Sequence, residues 1–439
     1  MMQDYFYTLS DKLMQDLEGE EQLLLGFAGE DSDFVRFNAN KMRQAGRVVQ
    51  RELSLDLIHG KRHARASVSL AGELEQDLWQ LSVVLHNLRA QRPYLQDDPY
   101  LIYATEVNNT EQHHDQPVID SREAVEQIRQ AAEGLDLVGI WANGAMVSGF
   151  ANSFGQRNWH SNANFNFDWS CYHAADKAVK GGYAGFDWQQ PTLLAKFEAI
   201  REQLAIVAKP AKTIEPGRYR VYLAPSALQE IVGTMSWGGF GLKSHRTKST
   251  PLLEMVEQGR RLAPALSITE DHARGLAPGF TSSGFIKPDL VRLIEQGRYA
   301  DCLVSPRSAV EYNSVANAES EFPGSLEIQA GNLPGEKVLS ELDTGLYINN
   351  LWYLNFSDRN HCQITGMTRF ACFWVEQGKI QAPLNVMRFD DSVYDLLGNN
   401  LLGLTAEREF IFDPDTYGQR SQNSIQLPGV LIDAMNFTL

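Results

Sequence analysis

The feature that most constrains the fold is a period-two alternation of side chains over residues 48–57. One set consists of Val49, Arg51, Leu53, Leu55 and Leu57, and the alternating set of Val48, Gln50, Glu52, Ser54 and Asp56. This pattern predicts a strand with one buried face. His59-Gly60-Lys61 then indicates a hairpin turn into a second strand over residues 62–70. The chain must therefore build a sheet with one face that something else covers.

The sequence before and after this hairpin has helical spacing, so we expect helices to cover the buried face of the sheet. We predict one helix over residues 9–27 and another over 73–88, which Gln91-Arg92-Pro93 would end. Helices before and after a hairpin favour an α+β unit in which the helices pack on one face of the sheet.

Changes of composition along the chain predict three regions. Residues 94–120 are polar and form a candidate linker. A helix start at Ser121 then begins a second segment. We predict that this segment contains a strand at 137–141, a hairpin within 143–160 and a helix over 191–208. Beyond it, strands at 219–223, 345–353, 368–375 and 429–437 alternate with Gly- and Pro-rich loops, and a helix over 225–237 follows the first of them. We therefore expect an N-terminal α+β domain at 1–120, a middle α/β segment at 121–213 and a large, mainly antiparallel β domain at 214–439.

Charge and targeting signals narrow the classes of function. The 39 basic and 55 acidic residues give a formal net charge of -16, which argues against binding to nucleic acid or anionic membranes. The N-terminus lacks the pattern of a signal peptide, and the four cysteines have no CxxC spacing. We expect a cytoplasmic protein with reduced thiols.

Two clusters of reactive residue types are weak evidence for a metal site or a catalytic site. His113-His114-Asp115 is more typical of a solvated loop than of a metal site, because neighbouring side chains cannot easily converge on one ion. His361-Cys362 has the residue types of a nucleophilic pair, but adjacent side chains on a strand point to opposite faces. Arg359 and Arg369, which stand among aromatic residues, are as consistent with structural ion pairs as with peptide binding.

Three blocks of sequence resemble the TldD/PmbA family, once called modulators of DNA gyrase. The first is Leu228-Gln229-Glu230-Ile231-Val232-Gly233-Thr234, on the predicted helix after the 219–223 strand. The second covers 344–353 and continues through 365–370, and the third covers 373–380 and ends at Pro383-Leu384. Their order on a chain of this length makes the resemblance fairly specific, and it is strongest from about residue 218 onward.

The resemblance implies a paired peptidase system. TldD-type chains hold one zinc ion with His-Glu-x-x-x-His and a later cysteine, and they cleave unfolded or flexible peptides. Their PmbA/TldE-type partners lack the ligands. Here the histidine positions are Gln229 and Thr234, the glutamate is Glu230, and no cysteine occurs in Asp415-Thr416-Tyr417-Gly418-Gln419, where the third ligand falls. Neutral amide and hydroxyl groups are poor zinc ligands, so we expect no metal or other cofactor, and Glu230 is read as a relic of a catalytic base.

The leading hypothesis is a PmbA/TldE-like, non-catalytic subunit that forms a heterodimer with a TldD-like catalytic chain and acts on peptides. The alternative is a stand-alone, homodimeric scaffold that binds peptides at a sheet edge without cleaving them. A third interpretation is a hydrolase that uses Glu230 or Cys362 without zinc, although no activating partner for either group is visible in the sequence.

Overall fold

The structure, a computed structural model, describes residues 2–114 and 116–438. Nine α-helices lie in this part of the chain. They are α1 Met2–Gln15, α2 Leu74–Gln91, α3 Ser121–Ala131, α4 Gln190–Val207, α5 Pro225–Ser236, α6 Leu242–Arg246, α7 Leu253–Gln258, α8 Pro306–Glu311 and α9 Val338–Leu342.

The first sheet is formed by the N-terminal half of the chain. Its strands are β1 Gln22–Asn38, β2 Lys41–His59, β3 Arg62–Ser69, β4 Thr110–His114, β5 Asp136–Asn152, β6 Arg157–Ala174 and β7 Lys177–Gly185. Their order is β3-β2-β1-β5-β6-β4, and β7 also pairs with β6. Every pairing is antiparallel except that of β4 with β6.

The second sheet contains the strands of the C-terminal half. They are β8 Gly217–Leu223, β9 Ile268–Asp271, β10 Leu290–Glu295, β11 Arg298–Tyr299, β12 Ser325–Ile328, β13 Gly345–Asp358, β14 Gln363–Glu376, β15 Lys379–Pro383, β16 Arg388–Ser392, β17 Leu401–Phe412 and β18 Ser424–Phe437. Because β8 pairs with both β13 and β18, strands β8, β13, β14, β16 and β18 form a closed ring of paired strands. Only β8–β13 and β12–β18 pair in parallel within this sheet, so the described C-terminal half is mainly antiparallel, as predicted.

Helices cover the first sheet in two places. Phe6, Leu9 and Leu13 of α1 pack with leucines of α2 on the face that presents Leu25 and Leu55. Helices α3 and α4 cover a second region, in which the aromatic side chains of β6 pack with Phe373 of β14. The predicted α+β class is confirmed: a helix-and-sheet region is followed by a large sheet domain.

The helix predicted over residues 9–27 was wrong in its second half. The first helix ends at Gln15, and residues from Gln22 onward form β1. Leu23 and Leu25 enter the core beneath α1, whereas Leu24 enters a separate cluster with Ile58 and Phe280. A strand that is buried on both faces has a continuous apolar run rather than alternation, and such a run resembles a buried helix in sequence.

The candidate linker at 94–120 is also partly wrong. Residues 110–114 form β4, which pairs in parallel with residues 158–162 of β6 at the end of the sheet. His113 and His114 lie on this strand rather than in a loop, and Asp115 lies outside the described residues. The short polar strand has no apolar face, so its sequence carries no period-two signal.

The three-region division remains a prediction. The structure places strands from both sides of residue 120 in one sheet, since β1 pairs with β5 over residues 24–37 and 139–152. No helix among residues 2–114 and 116–438 is long and apolar enough to cross a membrane.

Because β1 is buried on both faces, we predict that neighbouring leucines on opposite faces contribute similarly to the free energy of unfolding. We expect Leu24→Ala and Leu25→Ala each to lower the free energy of unfolding by about 2–5 kcal/mol, because each deletes a buried side chain and leaves a cavity. Leu24 is 5 % exposed and Leu25 is fully buried. Urea denaturation followed by tryptophan fluorescence measures the change. Leu194→Ala on α4 is the matched control, since Leu194 is 48 % exposed and its replacement should cost little. An unchanged Leu24→Ala protein would contradict this description of β1.

Candidate site on helix α5

Helix α5 is anchored by its apolar face. Leu228, Ile231, Val232 and Met235 are fully buried in the main core of the second sheet. At the start of the helix, the Ser226 hydroxyl donates a hydrogen bond of 2.6 Å to the Asn349 carbonyl of β13. Three and four residues separate the buried positions, so Gln229 and Glu230 must lie on the opposite, outer side of the helix.

Glu230 lies within the electrostatic influence of the first sheet. Its side chain is exposed on the helix, but the surrounding protein excludes enough water to raise its carboxyl pKa. The positive charge of Lys180 on β7 acts in the opposite direction and lowers this pKa. The carboxylate of α5 and the ammonium of β7 therefore share one electrostatic environment between the two sheets.

A second carboxylate belongs to this environment. The Lys180 ammonium lies 3.5 Å from Asp168 Oδ1 on β6, and both side chains are 40 % exposed. Partial burial raises the pKa of Asp168, although the Lys180 charge lowers it. At this degree of exposure the ion pair contributes little to stability, so its main effect is on local charge.

The segment where the third ligand would fall lies next to Asp168. Asp413, Asp415, Thr416 and Arg420 line a small cavity of about 80 Å³ together with Asp168. Asp415 Oδ1 accepts a hydrogen bond of 2.8 Å from the Tyr417 main-chain N–H. The fold therefore brings α5, β6, β7 and the 413–421 segment to the same side of the molecule.

The donor groups on α5 do not fit a zinc ion. The Thr234 hydroxyl donates a 2.9 Å hydrogen bond to the Glu230 carbonyl one turn earlier, and the residue is only 6 % exposed. Gln229 offers an amide in place of an imidazole. Among the described residues, no group of three or more His, Cys, Asp or Glu side chains is arranged to hold a metal ion. This result includes His113 and His114 and leaves Asp115 untested.

Cys362 is not placed as a nucleophile. Burial raises the pKa of its thiol to about 12, whereas a reactive cysteine needs a lowered pKa. The neighbouring His361 ring is directed to acidic groups, with Nδ1 2.9 Å from Asp358 and Nε2 3.6 Å from Glu254. All four cysteines are buried and none forms a disulfide.

The two arginines have different roles. Arg359 donates hydrogen bonds to the main-chain carbonyls of Ser249 and Trp237, which makes it a structural tie. Arg369 stacks over the rings of Trp352 and Phe370, with its guanidinium carbon 4.5 and 4.6 Å from the ring centroids.

Sequence reasoning missed Lys180 and Asp168. Both lie in the first sheet, more than forty residues before α5, and nothing in their local sequence marks them as neighbours of Glu230. The only available signal was a charged residue on each of two strands that also carry buried aromatic or apolar side chains, which is too common to indicate a site.

The family follows from sequence comparison. Residues 216–439, more than half of the chain, match the family described as the PmbA/TldA metallopeptidase C-terminal domain. The chain therefore belongs to the PmbA/TldD family of metallopeptidase-related proteins. No curated protein matches it by sequence.

Solved structures share the fold over almost the whole chain. TldE from Thermococcus kodakarensis has a TM-score of 0.76 at 14 % identity, covering 98 % of this chain and 100 % of its own. A protein described as a modulator of a DNA gyrase from Thermotoga maritima has a TM-score of 0.74 at 14 % identity, with full coverage of both chains. A protein of the same description from Bacteroides thetaiotaomicron has a TM-score of 0.71 at 14 % identity, covering 99 % of this chain and 98 % of its own. At this identity the likeness shows the fold alone.

The raised pKa of Glu230 predicts a pH-dependent effect of its removal. In the unfolded chain the carboxyl ionises near its ordinary value of 4.5, and in the folded protein it ionises at a higher pH. Ionisation therefore lowers folding stability as pH rises from the unfolded pKa through the folded pKa. We expect Glu230→Gln to raise the melting temperature near pH 8 and to change it much less near pH 4, as measured by calorimetry.

Glu198→Gln, at an exposed position on α4, is the control for loss of one surface charge. A Glu230→Gln protein that is less stable than the wild type near pH 8 would show that the carboxylate is stabilised by its surroundings rather than destabilised by burial.

Proposed function

We propose that this chain is a non-catalytic, PmbA/TldE-like subunit that forms a heterodimer with a zinc-bearing TldD-type chain in the cytoplasm. The complex would cleave unfolded or flexible peptides, and this subunit would shape the cavity in which they bind. The main observation in support of the proposal is the hydrogen bond made by the Thr234 hydroxyl. Its hydroxyl is bonded to the helix main chain at the position where a catalytic relative would present a zinc-binding histidine.

Two further observations support this proposal. Glu230 is the only acidic residue in the Gln229–Thr234 stretch, and burial raises its pKa while the charge of Lys180 opposes the shift. The fold resembles that of a TldE protein along 98 % of this chain. The scaffold of a peptidase is therefore combined with donor groups that suit no catalytic zinc.

The proposal predicts that activity depends on the other chain. We expect the purified protein to retain less than about 0.1 zinc ion per chain after dialysis and to cleave no peptide, because a structural or catalytic zinc site needs three or four strong donors. Co-expression with the TldD-type chain of the same organism should yield a stable complex that cleaves an unfolded substrate. Elemental analysis, light scattering and a fluorogenic peptide assay measure these outcomes.

Single substitutions in each chain show which of the two subunits contains the catalytic residues. Glu230→Gln in this chain should change kcat/KM of the complex by less than about twofold, whereas replacing the motif glutamate of the catalytic chain should lower it by at least about 100-fold. Stoichiometric zinc in the isolated chain, cleavage by the isolated chain, or a large loss of activity with Glu230→Gln would each overturn the proposal.

A second candidate function is a homodimeric, peptide-binding scaffold without peptidase activity. It is favoured by the free edge of β2, because β3 pairs only with residues 52–59 and leaves residues 41–49 exposed at the edge of the sheet. Such an edge can accept an extended peptide through main-chain hydrogen bonds. A homodimer in light scattering, with no TldD-type chain co-purifying from the native cell extract, would favour this function over the first.

A further inference from the structure

A cavity lined by residues of both sheets lies away from α5. It has a volume of about 390 Å³, and none of its lining residues belongs to that helix. One wall is the face of β1, β2 and β5 that includes Ser54 and Ser148, and the opposite wall is formed by β9 and the loops around residues 277–287 and 318–324. A volume of this size accommodates a small organic molecule.

Lys287 is a buried cation on the wall of this cavity. Its residue is 8 % exposed, and its main-chain N–H donates to the Gly279 carbonyl at 2.9 Å, which fixes the start of the side chain. Within residues 2–114 and 116–438, no hydrogen bond or salt bridge reaches its ammonium group. Burial lowers the pKa of Lys287, and the charges of Glu270 and Glu319 oppose this effect. Because Lys287 lines the cavity, its ammonium group is available to donate to a molecule bound there.

Glu270 places a fixed carboxylate at the same wall, where its charge acts on the cavity. Its Oε1 accepts main-chain hydrogen bonds from Gly324 at 2.9 Å and Ser325 at 2.8 Å, which hold the carboxylate in place. Its Oε2 is buried and has no hydrogen-bond partner in the described structure. His272 lies 3.4 Å from Oε1 through Nε2, while its Nδ1 donates to the Pro288 carbonyl at 2.7 Å.

The charges around the cavity are unequal. Three carboxyl groups, those of Glu52, Glu270 and Glu319, line it together with one ammonium group, that of Lys287. A simple anion would meet one favourable charge and three unfavourable ones, and a simple cation would leave the Lys287 donors unused. A molecule that carries both charges satisfies both sets of groups.

The rest of the lining limits the size and polarity of that molecule. Phe150 and Phe280 contribute apolar surface, and Gly26 keeps the floor of the cavity low on the first sheet. A Cβ atom at Gly26 would stand 2.5 Å from the Ser54 Oγ atom, which belongs to the same lining. Short aliphatic groups fit such walls better than long charged chains.

We propose that this cavity binds a zwitterionic molecule of dipeptide size, with its carboxylate on the Lys287 ammonium and its ammonium group towards the carboxylates of Glu270 and Glu319. All the groups involved belong to this chain. The proposal can therefore be tested on the isolated chain, and that test is independent of the peptidase proposal.

Calorimetric titration of the full chain with L-alanyl-L-alanine tests the proposal. N-acetyl-alanyl-alanine, which lacks the ammonium, and alanyl-alanine amide, which lacks the carboxylate, are the matched probes. We expect saturable binding of the dipeptide at one site per chain and at least tenfold weaker binding of each blocked form, about 1.4 kcal/mol per lost charge. Absence of dipeptide binding, or equal binding of either blocked form, would overturn the proposal.

Two variants assign the binding to this cavity. Lys287→Met keeps the length of the side chain and removes the charge. Glu319→Gln removes the charge of an exposed residue and keeps an oxygen that can still accept one of the two hydrogen bonds from Ser282. Each should weaken dipeptide binding at least tenfold, whereas Lys61→Met, in the exposed turn between β2 and β3, should leave it unchanged. Unaltered binding by a folded Lys287→Met or Glu319→Gln protein would contradict the assignment.

Discussion

The packing of α5 against β13 and β18 is the interaction on which the candidate site depends. Four fully buried apolar side chains on one face of this helix join the core of the closed strand ring. Burying each such side chain contributes roughly 1.5–3 kcal/mol, which is enough to fix the rotation of a helix of twelve residues. Because the rotation is fixed, Glu230 lies on the outer side of the helix, where the charge of Lys180 influences its ionisation.

The other side of the site is set by the docking of the 413–421 segment onto the first sheet. Arg420 is 4 % exposed and donates to the Ser32 hydroxyl at 3.2 Å and the Asn164 carbonyl at 3.4 Å. Burial lowers the pKa of this guanidinium to about 10, while the charge of Glu30 opposes the shift, so the group stays charged at neutral pH. A buried cation held by several acceptors fixes its segment precisely in space, since any displacement leaves it unpaired. The connection between the two sheets is therefore polar and specific rather than only apolar.

Part of the fold was accessible from sequence because its signals are local. The β2–β3 hairpin, the helices α2, α4 and α5, and the strands β8, β13, β14 and β18 all follow from periodicity, Pro positions and turn residues. β1 was missed because it is buried on both faces, and β4 because it is polar on both. Within the candidate site, Gln229, Glu230 and Thr234 could be named from the sequence, whereas Lys180 and Asp168 could not, since their relation to α5 depends on how two sheets pack.

By itself, the sequence determined the fold class and the family, and it shows that Gln229 and Thr234 carry no imidazole, since these depend on residue identity and short-range pattern. Only the tertiary structure decided what surrounds them. It engages the Thr234 hydroxyl with the helix main chain, buries the Cys362 thiol, and joins Lys287 and Glu270 from separate segments around one cavity. These contacts form between segments that are far apart in the sequence. They depend on how the whole chain packs, which no short stretch of residues encodes.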